Sequence, residues 1–507
     1  MSAAGNRSRN LILAAMIFAV SMTFIDQTIV SIAAPNIQRE LGLTSTGVQW
    51  AINAYLLTLA ALFAFGGRLA DTVGHRRMVT LGVLVFAAAS ALCGATPKGS
   101  LAEGWIVTFR ALQGVGGAIM FPAALAIVVQ TFSLHERGKA LAMFFGIAGG
   151  LTAVGPALGG VLTQWTWRAI FWVNIPVALV ALVLIFVSKP ETEHKPARMD
   201  YRGLILIAAG TALSIFGFQQ SGTWGWGDAR TLACIAAGAA LLVVFALVER
   251  GTSSPLIDVN IFRIRPFLVE NLVLGVSNTV FIPVFFFASE YAQIALGKSA
   301  SSASLVLLYF FLGFVVAAQI GGRMLDRIGA KRPVVLGCTL AAVGFGLWGG
   351  KVTGLDFSSQ IWCVILAGAG MGFMLGPSST DAVNRASRLS YGEATGITQT
   401  VRNYAASLGL AVLGSLSVSE MHSRLVSSLV AQGTDRSEAS ALATKISQSR
   451  GATSTIPRFV RLDFAHAIQT VLYAMTGIMA AAALVALVGL RRGVQTEAAE
   501  AAPEPSG

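Results

Sequence analysis

The sequence predicts an all-α polytopic membrane protein with fourteen transmembrane helices. Only 12% of its 507 residues are charged, about half of the ~25% typical of soluble domains. The mean hydropathy is +0.70, and apolar windows of about 20 residues, the length that crosses the hydrocarbon core, recur along the chain. A glycine-rich, charged segment of 17 residues occurs twice, which indicates an internal duplication.

The apolar windows define the predicted spans. We expect them to be helices, because a helix satisfies its backbone polar groups within one segment and the alternating pattern of barrel strands is absent. The spans lie at residues 11–34, 47–69, 78–96, 104–131, 139–163, 169–188, 202–220, 231–249, 267–290, 302–322, 333–350, 359–378, 395–419 and 464–490.

The basic residues predict the orientation of these spans. With the N-terminus inside, the inner loops and ends hold 22 Lys and Arg, whereas the outer segments hold 12, six of them in the long loop 421–462. Basic residues are enriched on the cytoplasmic side of membrane proteins, so both termini are expected in the cytoplasm. The first span is read as uncleaved, and the polar tail 491–507 is expected to be disordered.

The repeated segment divides the chain. GGRLADTVGHRR begins at Gly66 and GGRMLDRIGAKR begins at Gly321, and over 17 residues the copies share nine positions. The offset of 255 continues into a later helix, where Pro122 corresponds to Pro377. Eight spans separate the copies, and this even number predicts a parallel duplication of the kind found in transporters with two six-helix halves.

This duplication predicts four regions. Two spans remain outside the two halves, and charged stretches flank the pair of spans between them. The expected regions are an N-terminal six-helix half at 1–188, a linker with two extra transmembrane helices at 189–265, a C-terminal six-helix half at 266–490 with the outer loop 421–462, and the tail 491–507.

Charge and motif content exclude several functional classes. The net charge of +12 is spread over short loops and forms no stripe, so nucleic-acid binding is not expected. The four cysteines lie in apolar runs without metal-ligand spacing, and no metal site is expected. The chain also has no GxxxxGK[ST] phosphate loop and no catalytic cluster of His, Asp and Glu, so neither an ATP-driven pump nor an enzyme is predicted.

Four motifs in order carry a family resemblance. They are FIDQTIVSIAAP from Phe24, GGRLADTVGHRR from Gly66, FRALQGVGGAIMFPA from Phe109 and AVGPALGGVLTQWTWRAIFWVNIP from Ala153. Together they resemble the major facilitator superfamily, in its fourteen-helix drug:proton antiporter branch, from Asp26 to the last span. The departures are Thr72 and His75, where the family usually has basic residues, and Ser31, where it often has Asn.

The loop motif is interpreted as a cytoplasmic latch that occurs once in each half. Its glycines permit a tight turn, and its acid, Asp71, stands among arginines. The acid could be only a helix cap or a solvated charge, but its repetition favours the latch. The resemblance implies that it ties this loop to neighbouring helices in the outward-facing state, with Arg137 as the candidate partner. The predicted gating residues are Gly67, Arg68, Asp71, Gly74, Arg76, Arg77, Arg137 and Asp326.

The glycines of the fifth span admit two interpretations. Small residues allow helices to approach closely in lipid, and glycine beside proline permits a kink. The motif is therefore either ordinary packing or a pliable contact between the halves that governs which side leaks, and the resemblance favours the contact. Its predicted residues are Gly155, Pro156, Gly159 and Gly160.

Two opposite charges are predicted inside the first half of the membrane domain. A charge at the bilayer centre costs about 2.5–3.5 kcal/mol on insertion scales, so each needs a reason. Asp26 lies about 13 Å below the predicted outer end of span one, and Arg110 lies about 10 Å below that of span four, so the two can face each other. The positions 255 residues later hold Phe281 and Ile365, which predicts ion chemistry in the N-terminal half alone.

Asp26 is the predicted proton-coupling carboxylate, with Arg110 setting its affinity for the proton. Burial raises the pKa of a carboxylate and a nearby arginine lowers it, and the two effects together suit a group that loads and releases a proton. The alternative is a static pair that holds spans one and four together. Glu290, at the end of span nine, is expected either to bind a cationic substrate or to face the outer water.

The resemblance implies a proton-coupled antiporter of the bacterial cytoplasmic membrane. Its expected cargo is hydrophobic, cationic or amphipathic drugs and toxic compounds, driven by the proton gradient without a cofactor. The alternative on the same fold is a dedicated exporter of a lipid or natural product. The expected partners are these small molecules, membrane lipid and protons, with no nucleic acid. A periplasmic adaptor, docked at loop 421–462, is expected only where the host has two membranes.

Overall fold

The computed structural model describes residues 3–132, 134–190, 200–253, 255–384, 391–448, 456–491 and 493. Within these ranges, side chains are not described for residues 3–7 and 134–139, at several positions from 141 to 153, and at the helix ends that border residues 385–390 and 449–455. The secondary structure of the described residues is helical throughout, with no strand, so the predicted all-α polytopic fold class is confirmed. The tail 491–507 lies almost wholly outside the described residues, and its predicted disorder stays a prediction.

The α-helices of the described ranges are, in order, α1 (Ala3–Leu41), α2 (Ser45–Val73), α3 (His75–Gly94), α4 (Ala102–Thr131), α5 (Leu134–Trp165), α6 (Ala169–Trp172), α7 (Asn174–Ser188), α8 (Tyr201–Trp224), α9 (Ala229–Gly251), α10 (Arg265–Glu290), α11 (Ala300–Ile328), α12 (Lys331–Val352), α13 (Ile361–Asn384), α14 (Tyr391–Ala431), α15 (Arg436–Gln448) and α16 (Arg458–Gly489). A π-helical turn, Tyr291–Ala295, continues α10, and short 3₁₀ helices occupy Val259–Arg263 and Ser358–Gln360.

Thirteen helical segments of the described residues are long and apolar enough to cross a membrane. The short α6 and the following α7 form one of these segments, Ala169–Ser188. α5 coincides with the predicted fifth span and is 32 residues long, but it is not among the thirteen, because part of it lies outside the residues that the structure describes in full.

Two predicted boundaries were wrong. α1 does not end at residue 34 but continues through Pro35 to Leu41, because Ala33, Ala34 and Ile37 around the proline are packed in the core and hold the helix together. The predicted loop 421–462 contains the end of α14, all of α15 and the start of α16. This region is rich in Ala, Ser, Leu and charged residues, many of which favour helix even in water. Its low hydropathy therefore indicated that it lies outside the membrane, but not that it lacks helices.

By their contacts, the helices before and after α8 and α9 form two groups, and the division into two duplicated halves stays a prediction. In the first group α1 packs on α5 and α7, and α4 packs on α2 and α3. In the second, α13 packs on α11 and α12, while α16 packs on α10, α12 and α14. α2 meets α14 and α5 meets α11 where the groups join. We call the end of the bundle at which α1 ends and α2 begins the Leu41 end, and the opposite end the Gly74 end.

Among the described side chains, three hydrogen bonds between the two groups lie in the part of the bundle nearer to the Leu41 end. Gln293 donates to the carbonyl oxygen of Ile32 at 2.8 Å, and Gln164 donates to Ser301. Ser407 of α14 donates to Asn53 of α2. The groups are therefore held together at the end that the charge pattern predicts to be outside.

The duplicated segment adopts the same backbone form in both copies. Gly74 and Gly329 end α2 and α11 with φ of +107° and +80°, a conformation that a side chain disfavours. A Cβ at Gly66 would meet the backbone of Ala118, and one at Gly321 would meet the backbone of Phe373, which is again 255 residues later. The glycines of the repeat thus serve tight turns and close helix approach, as the sequence predicts.

The inserted helix α8 forms polar contacts with both groups of helices. Gln219 of α8 accepts a hydrogen bond from Asn53 Nδ2 at 2.6 Å, and the same asparagine accepts from Ser407. We call Asn53, Gln219 and Ser407 the polar junction. Further hydrogen bonds join α8 to α14, from Ser221 to Ser415 at 2.8 Å and between Ser214 and Tyr404 at 3.1 Å. α8 is therefore joined by hydrogen bonds to α2 of the first group and to α14 of the second.

The predicted orientation can be tested with single cysteines at Ser8 and Ser427, in a background without the four native cysteines. Ser8 is exposed at the start of α1 and Ser427 is exposed near the end of α14. We expect Ser8→Cys to react with a membrane-impermeant thiol reagent only from the cytoplasm, and Ser427→Cys only from outside. Labelling of both positions from the same side of intact cells would contradict the predicted number of spans.

Candidate functional site

A buried ion pair joins α1 to α4. Arg110 Nη1 lies 2.5 Å from Asp26 Oδ2, and the two residues are 1% and 0% exposed. The two residues that the sequence placed at similar depths are thus in direct contact. Hereafter they are called the charge pair.

Gln113 and Tyr55 complete the surroundings of the charge pair. Gln113 Nε2 donates to Asp26 Oδ1 at 2.9 Å, and its Oε1 accepts from Arg110 Nη1 at 2.8 Å. Arg110 Nε donates to the carbonyl oxygen of Ala51 at 2.8 Å, and the guanidinium carbon lies 4.5 Å from the centre of the Tyr55 ring. Both oxygens of Asp26 therefore accept hydrogen bonds from α4.

Sequence reasoning missed Gln113 and Tyr55, although a signal for Gln113 was present. Gln113 follows Arg110 by three residues in an otherwise apolar helix, so both lie on one helical face. Because a neutral amide is less costly than a charge inside a membrane, Gln113 was not singled out from the sequence as a site residue. Tyr55 gave no signal, because tyrosine in a transmembrane helix is not unusual.

Glycines of the fourth-helix motif bring α4 close enough for these contacts. A Cβ at Gly114 would lie 2.7 Å from the carbonyl oxygen of Tyr55, and one at Gly117 would lie 3.0 Å from Leu59 Cδ2 and 3.4 Å from Thr23 Cγ2. Larger residues at these positions would push α4 away from α2 and α1. The motif therefore sets the separation at which Arg110 and Gln113 reach Asp26.

The charge pair stabilises the contact between α1 and α4 only while both partners are present. Removing one partner of a buried ion pair typically costs about 3–5 kcal/mol, because the other charge is left without compensation. Protonation of Asp26 would have a similar consequence, since it removes the negative charge and one acceptor position. The contact between α1 and α4 therefore depends on the charges of both Asp26 and Arg110.

The second group of helices has an aromatic cluster where the first has the charge pair. Phe281, the counterpart of Asp26, lies with its ring centre 5.0 Å from that of Phe285 and 5.5 Å from that of Phe314. Phe285 in turn stacks on Phe311 at 5.2 Å. The asymmetry that the sequence predicted therefore places an ion pair in one group and phenylalanine rings at the matching position of the other.

Glu290 lies apart from the charge pair, at the end of α10. It is 2% exposed, so the alternative that it faces the outer water is wrong. The sequence placed Glu290 at a membrane surface, as the last residue of its span. In the structure the chain continues beyond Glu290 as the π-helical turn. The hydrogen bonds and ion pair that the structure gives to Asp26 and Arg110 do not involve it.

The loop motif makes contacts that the sequence did not predict. Asp71, about half exposed, lies 3.1 Å from His75 Nε2, and His75 is one of the two positions at which the loop motif departs from the family pattern. Arg68 donates to the carbonyl oxygen of Pro255, after α9, at 2.6 Å. The side chain of Arg137, the predicted partner of Asp71, lies outside the described residues, so the latch stays a prediction.

The remaining members of the loop motif differ in exposure. Gly67 and Arg76 are half-buried, and Arg77 is exposed. Asp326, in the second copy, is exposed at the end of α11, and alanine replaces histidine four residues after it, at Ala330. The two copies therefore share a backbone form without sharing the contact of their acid.

The fifth-helix motif faces two directions. A Cβ at Gly155 would meet Thr28, and one at Gly159 would lie 3.1 Å from the carbonyl oxygen of Ile29, so both glycines pack on α1 of the same group. A Cβ at Gly160 would lie 2.6 Å from Ser304 Oγ and 3.0 Å from Ser301 Cα, on α11 of the other group. Pro156 is buried beside them. One glycine of the motif thus forms the contact between groups, and two fix α5 on α1.

Comparison with known proteins decides the family. Residues 16–410 match the profile of the Major Facilitator Superfamily. The chain belongs to this superfamily. The superfamily assignment made from the four motifs is therefore confirmed, and the chain is a membrane transporter by family and fold.

Several curated members of the superfamily are similar along most of the chain. A tetracenomycin C resistance and export protein of Streptomyces glaucescens is 35% identical over 416 residues, which cover 81% of this chain and 76% of the relative. A puromycin resistance protein of Streptomyces alboniger is 34% identical over 418 residues, covering 80% of each. A multidrug transporter of Bacillus subtilis is 29% identical over 423 residues, covering 82% and 77%.

Solved structures of superfamily members share the fold. A bacterial homologue of the human lysosomal transporter Spinster, in an inward-facing unoccupied conformation, matches with a TM-score of 0.64 at 16% identity over 95% of this chain and 97% of its own. The POT family transporter PepTSo matches with a TM-score of 0.59 at 14% identity, covering 95% and 98%. At these identities the likeness extends to the fold alone.

Proposed function

We propose that the protein exports drugs or natural products in exchange for protons, as a member of the fourteen-helix drug:proton antiporter branch. The observation that carries this proposal is the buried charge pair with Gln113. It lies in a superfamily fold, and the similar proteins described above bear the names of exporters and resistance proteins. With α5 added to the thirteen helical segments that are long and apolar enough to cross a membrane, the number of spans is fourteen. Transport by movement of helices, rather than catalysis, is the activity that this arrangement serves.

The charge pair gives the exchange a physical basis. When Asp26 is ionised, it accepts hydrogen bonds from Arg110 and Gln113, and α1 is tied to α4. A proton from the outer side neutralises the carboxylate and releases that tie. A cationic or amphipathic substrate arriving from the cytoplasm favours the ionised form and expels the proton, so the two are carried in opposite directions.

The other proposed roles follow the same frame. The protein lies in the bacterial cytoplasmic membrane with both termini in the cytoplasm, and its Gly74 end faces inward. Asp71 latches onto Arg137 when the cytoplasmic side is closed, and Glu290 contacts a cationic substrate. Where the host has two membranes, α15 and its flanking residues offer the docking surface for an adaptor.

A dedicated exporter of one natural product is the second candidate. It is favoured by relatives whose names each refer to a single compound, among them the tetracenomycin C and puromycin proteins and a cephamycin export protein of Amycolatopsis lactamdurans, 30% identical over 412 residues. Such a transporter would use the same charge pair with a narrower substrate range.

Dye transport in inverted membrane vesicles tests the proposal. We expect vesicles that contain the protein to accumulate ethidium when a proton gradient is imposed, and an uncoupler to abolish the accumulation. Vesicles with Asp26→Asn are the matched control. If no member of a panel of dyes, biocides and antibiotics moves in a proton-dependent way, the proposal is wrong, whereas proton-dependent movement of a single natural product selects the second candidate.

A further inference from the structure

Two carboxylates meet at the Gly74 end of the inserted helices. Asp200 caps α8, where its Oδ1 accepts a hydrogen bond from the N–H of Gly203 at 2.8 Å. Glu249 lies in the last turn of α9 and is 2% exposed. Its Oε2 accepts a hydrogen bond from the N–H of Ile257 at 3.2 Å. Each carboxylate therefore uses one oxygen to hold the backbone. Asp200 and Glu249 are called the carboxylate pair.

The second oxygens of the carboxylate pair face each other across a glycine. A Cβ at Gly203 would lie 2.8 Å from Asp200 Oδ2 and closer still to Glu249 Oε1, so both oxygens border the same small space. Both are buried, and neither has a hydrogen-bond partner among the residues that the structure describes. Two buried acceptors that face each other repel when both groups are ionised, and one proton between them turns the repulsion into a hydrogen bond.

No cation compensates this repulsion among the described groups that pack around Glu249. Among the described residues, Glu249 accepts from the N–H of Ile257, and its carboxylate lies beside that of Asp200. Arg202 on α8 and Arg250 on α9 are exposed. Asp258 caps the following 3₁₀ helix by accepting from the N–H of Asn260, and Arg68 of α2 donates to the Pro255 carbonyl.

We propose that Asp200 and Glu249 are a proton-binding site that holds one proton between them, and that this proton keeps residues 255–264 docked against α2. The proton bridges Glu249 Oε1 and Asp200 Oδ2 and comes from cytoplasmic water, and no other group is consumed or released. This site is separate from the charge pair and does not depend on its proposed role in transport.

Residues 255–264, the connecting segment, link the carboxylate pair to the loop motif. Glu249 holds the N–H of Ile257, and two residues earlier the Pro255 carbonyl accepts from Arg68. The segment also packs its apolar side chains in a small core with the first turns of α10 and α14 and with the Gly74 end of α2, through Leu256, Ile257, Ile261, Phe267, Ala394, Ile397 and Phe65. The connecting segment, which Glu249 contacts, therefore packs on α2 of the first group and on α10 and α14 of the second. A change of charge at the carboxylate pair can act on both groups through this segment.

The direction of the pH dependence follows from proton linkage. The docked form binds one more proton than a form in which the connecting segment has moved away and both carboxylates reach water. Lowering the pH therefore favours docking, and raising it favours release, by up to about tenfold per pH unit for a single proton. The site would make the Gly74 end of the transporter responsive to the pH of the compartment it faces.

The first test measures the proton directly, by infrared difference spectroscopy of the full-length protein in liposomes. We expect a protonated-carboxyl band that titrates with pH and is lost both in Glu249→Gln and in Asp200→Asn. Asp228→Asn, at the exposed other end of α9 and paired with Arg230, is the matched control and should keep the band. A band that survives in both variants of the carboxylate pair overturns the proposal.

The second test measures docking, in a background without native cysteines. Ile261→Cys places a thiol in the buried core of the connecting segment, and Ser253→Cys places an exposed one nearby for normalisation. We expect the normalised labelling rate at position 261 to rise with pH. In Glu249→Gln, whose amide can donate to Asp200 and still accept from Ile257, the rate should stay low and flat. Equal pH dependence with and without Glu249→Gln overturns the proposal.

Discussion

Asp26→Asn is expected to abolish proton-driven efflux while the protein still inserts into the membrane. The amide has the size of the carboxylate and can still accept from Arg110, but it cannot bind and release a proton at physiological pH. It also leaves Arg110 without its counter-charge, so we expect a loss of stability approaching the ~3–5 kcal/mol typical of a broken buried pair. Dye accumulation and proton release in vesicles, with thermal unfolding of the purified protein, measure the two effects.

Companion variants separate coupling from structure. Arg110→Lys keeps the positive charge but lacks the fork that reaches Asp26, Gln113 and the Ala51 carbonyl together, so transport should be markedly impaired. Asp228→Asn, at the N-terminal end of α9 and outside the charge pair, should transport as wild type. If Asp26→Asn still pumps against a gradient with normal proton release, the coupling site lies elsewhere, and Glu290 is the next residue to test.

Gly160→Val is expected to block transport by preventing the Leu41 end from closing. The added side chain would meet Ser304 and the backbone of Ser301 on α11, where a Cβ alone already lies within 3.0 Å of both residues. The variant should insert and remain folded, because the clash is between the two groups of helices and can be relieved by moving them apart. Gly159→Val, by contrast, strikes Ile29 on α1 of the same group and should reduce stability as well as transport.

Cross-linking measures this effect apart from transport. Cysteines at Gln164 and Ser301, whose side chains are hydrogen-bonded here, should cross-link in an otherwise wild-type chain and much less in Gly160→Val. Gly477→Val on α16, where a Cβ would have no neighbour within 4 Å, is the matched control and should leave cross-linking and efflux unchanged. Normal efflux in Gly160→Val would contradict a role of the fifth-helix motif in transport and would leave only a role in helix packing.

The sequence predicted most of the fold because lipid restricts what a chain can do. Spans had to be apolar helices, and the recurring apolar windows located them. Boundaries were harder, since a helix can continue into water without a change in its backbone. α1 therefore passes Pro35, and α14 and α15 fill a stretch that reads as a polar loop. Hydropathy marks where lipid ends, but it does not mark where a helix ends.

The candidate site was predictable where it carries charge. Asp26 and Arg110 stood out because each is costly in lipid, and matched depth was enough to bring them together. Gln113 and the polar junction did not stand out, because neutral amides and hydroxyls are tolerated in membrane helices at small cost. The junction also joins residues from α2, α8 and α14 that are more than 150 positions apart, and sequence spacing gives no measure of such a contact.

Because of the polar junction and the other hydrogen bonds of α8, we expect that deleting α8 and α9 would destabilise the remaining helices. A chain shortened by deleting α8 and α9 would leave Asn53, Ser415 and Tyr404 without the hydrogen-bond partners that α8 gives them. Each unmet polar group in hydrocarbon costs up to several kcal/mol, so the shortened protein would need compensating apolar replacements on α2 and α14.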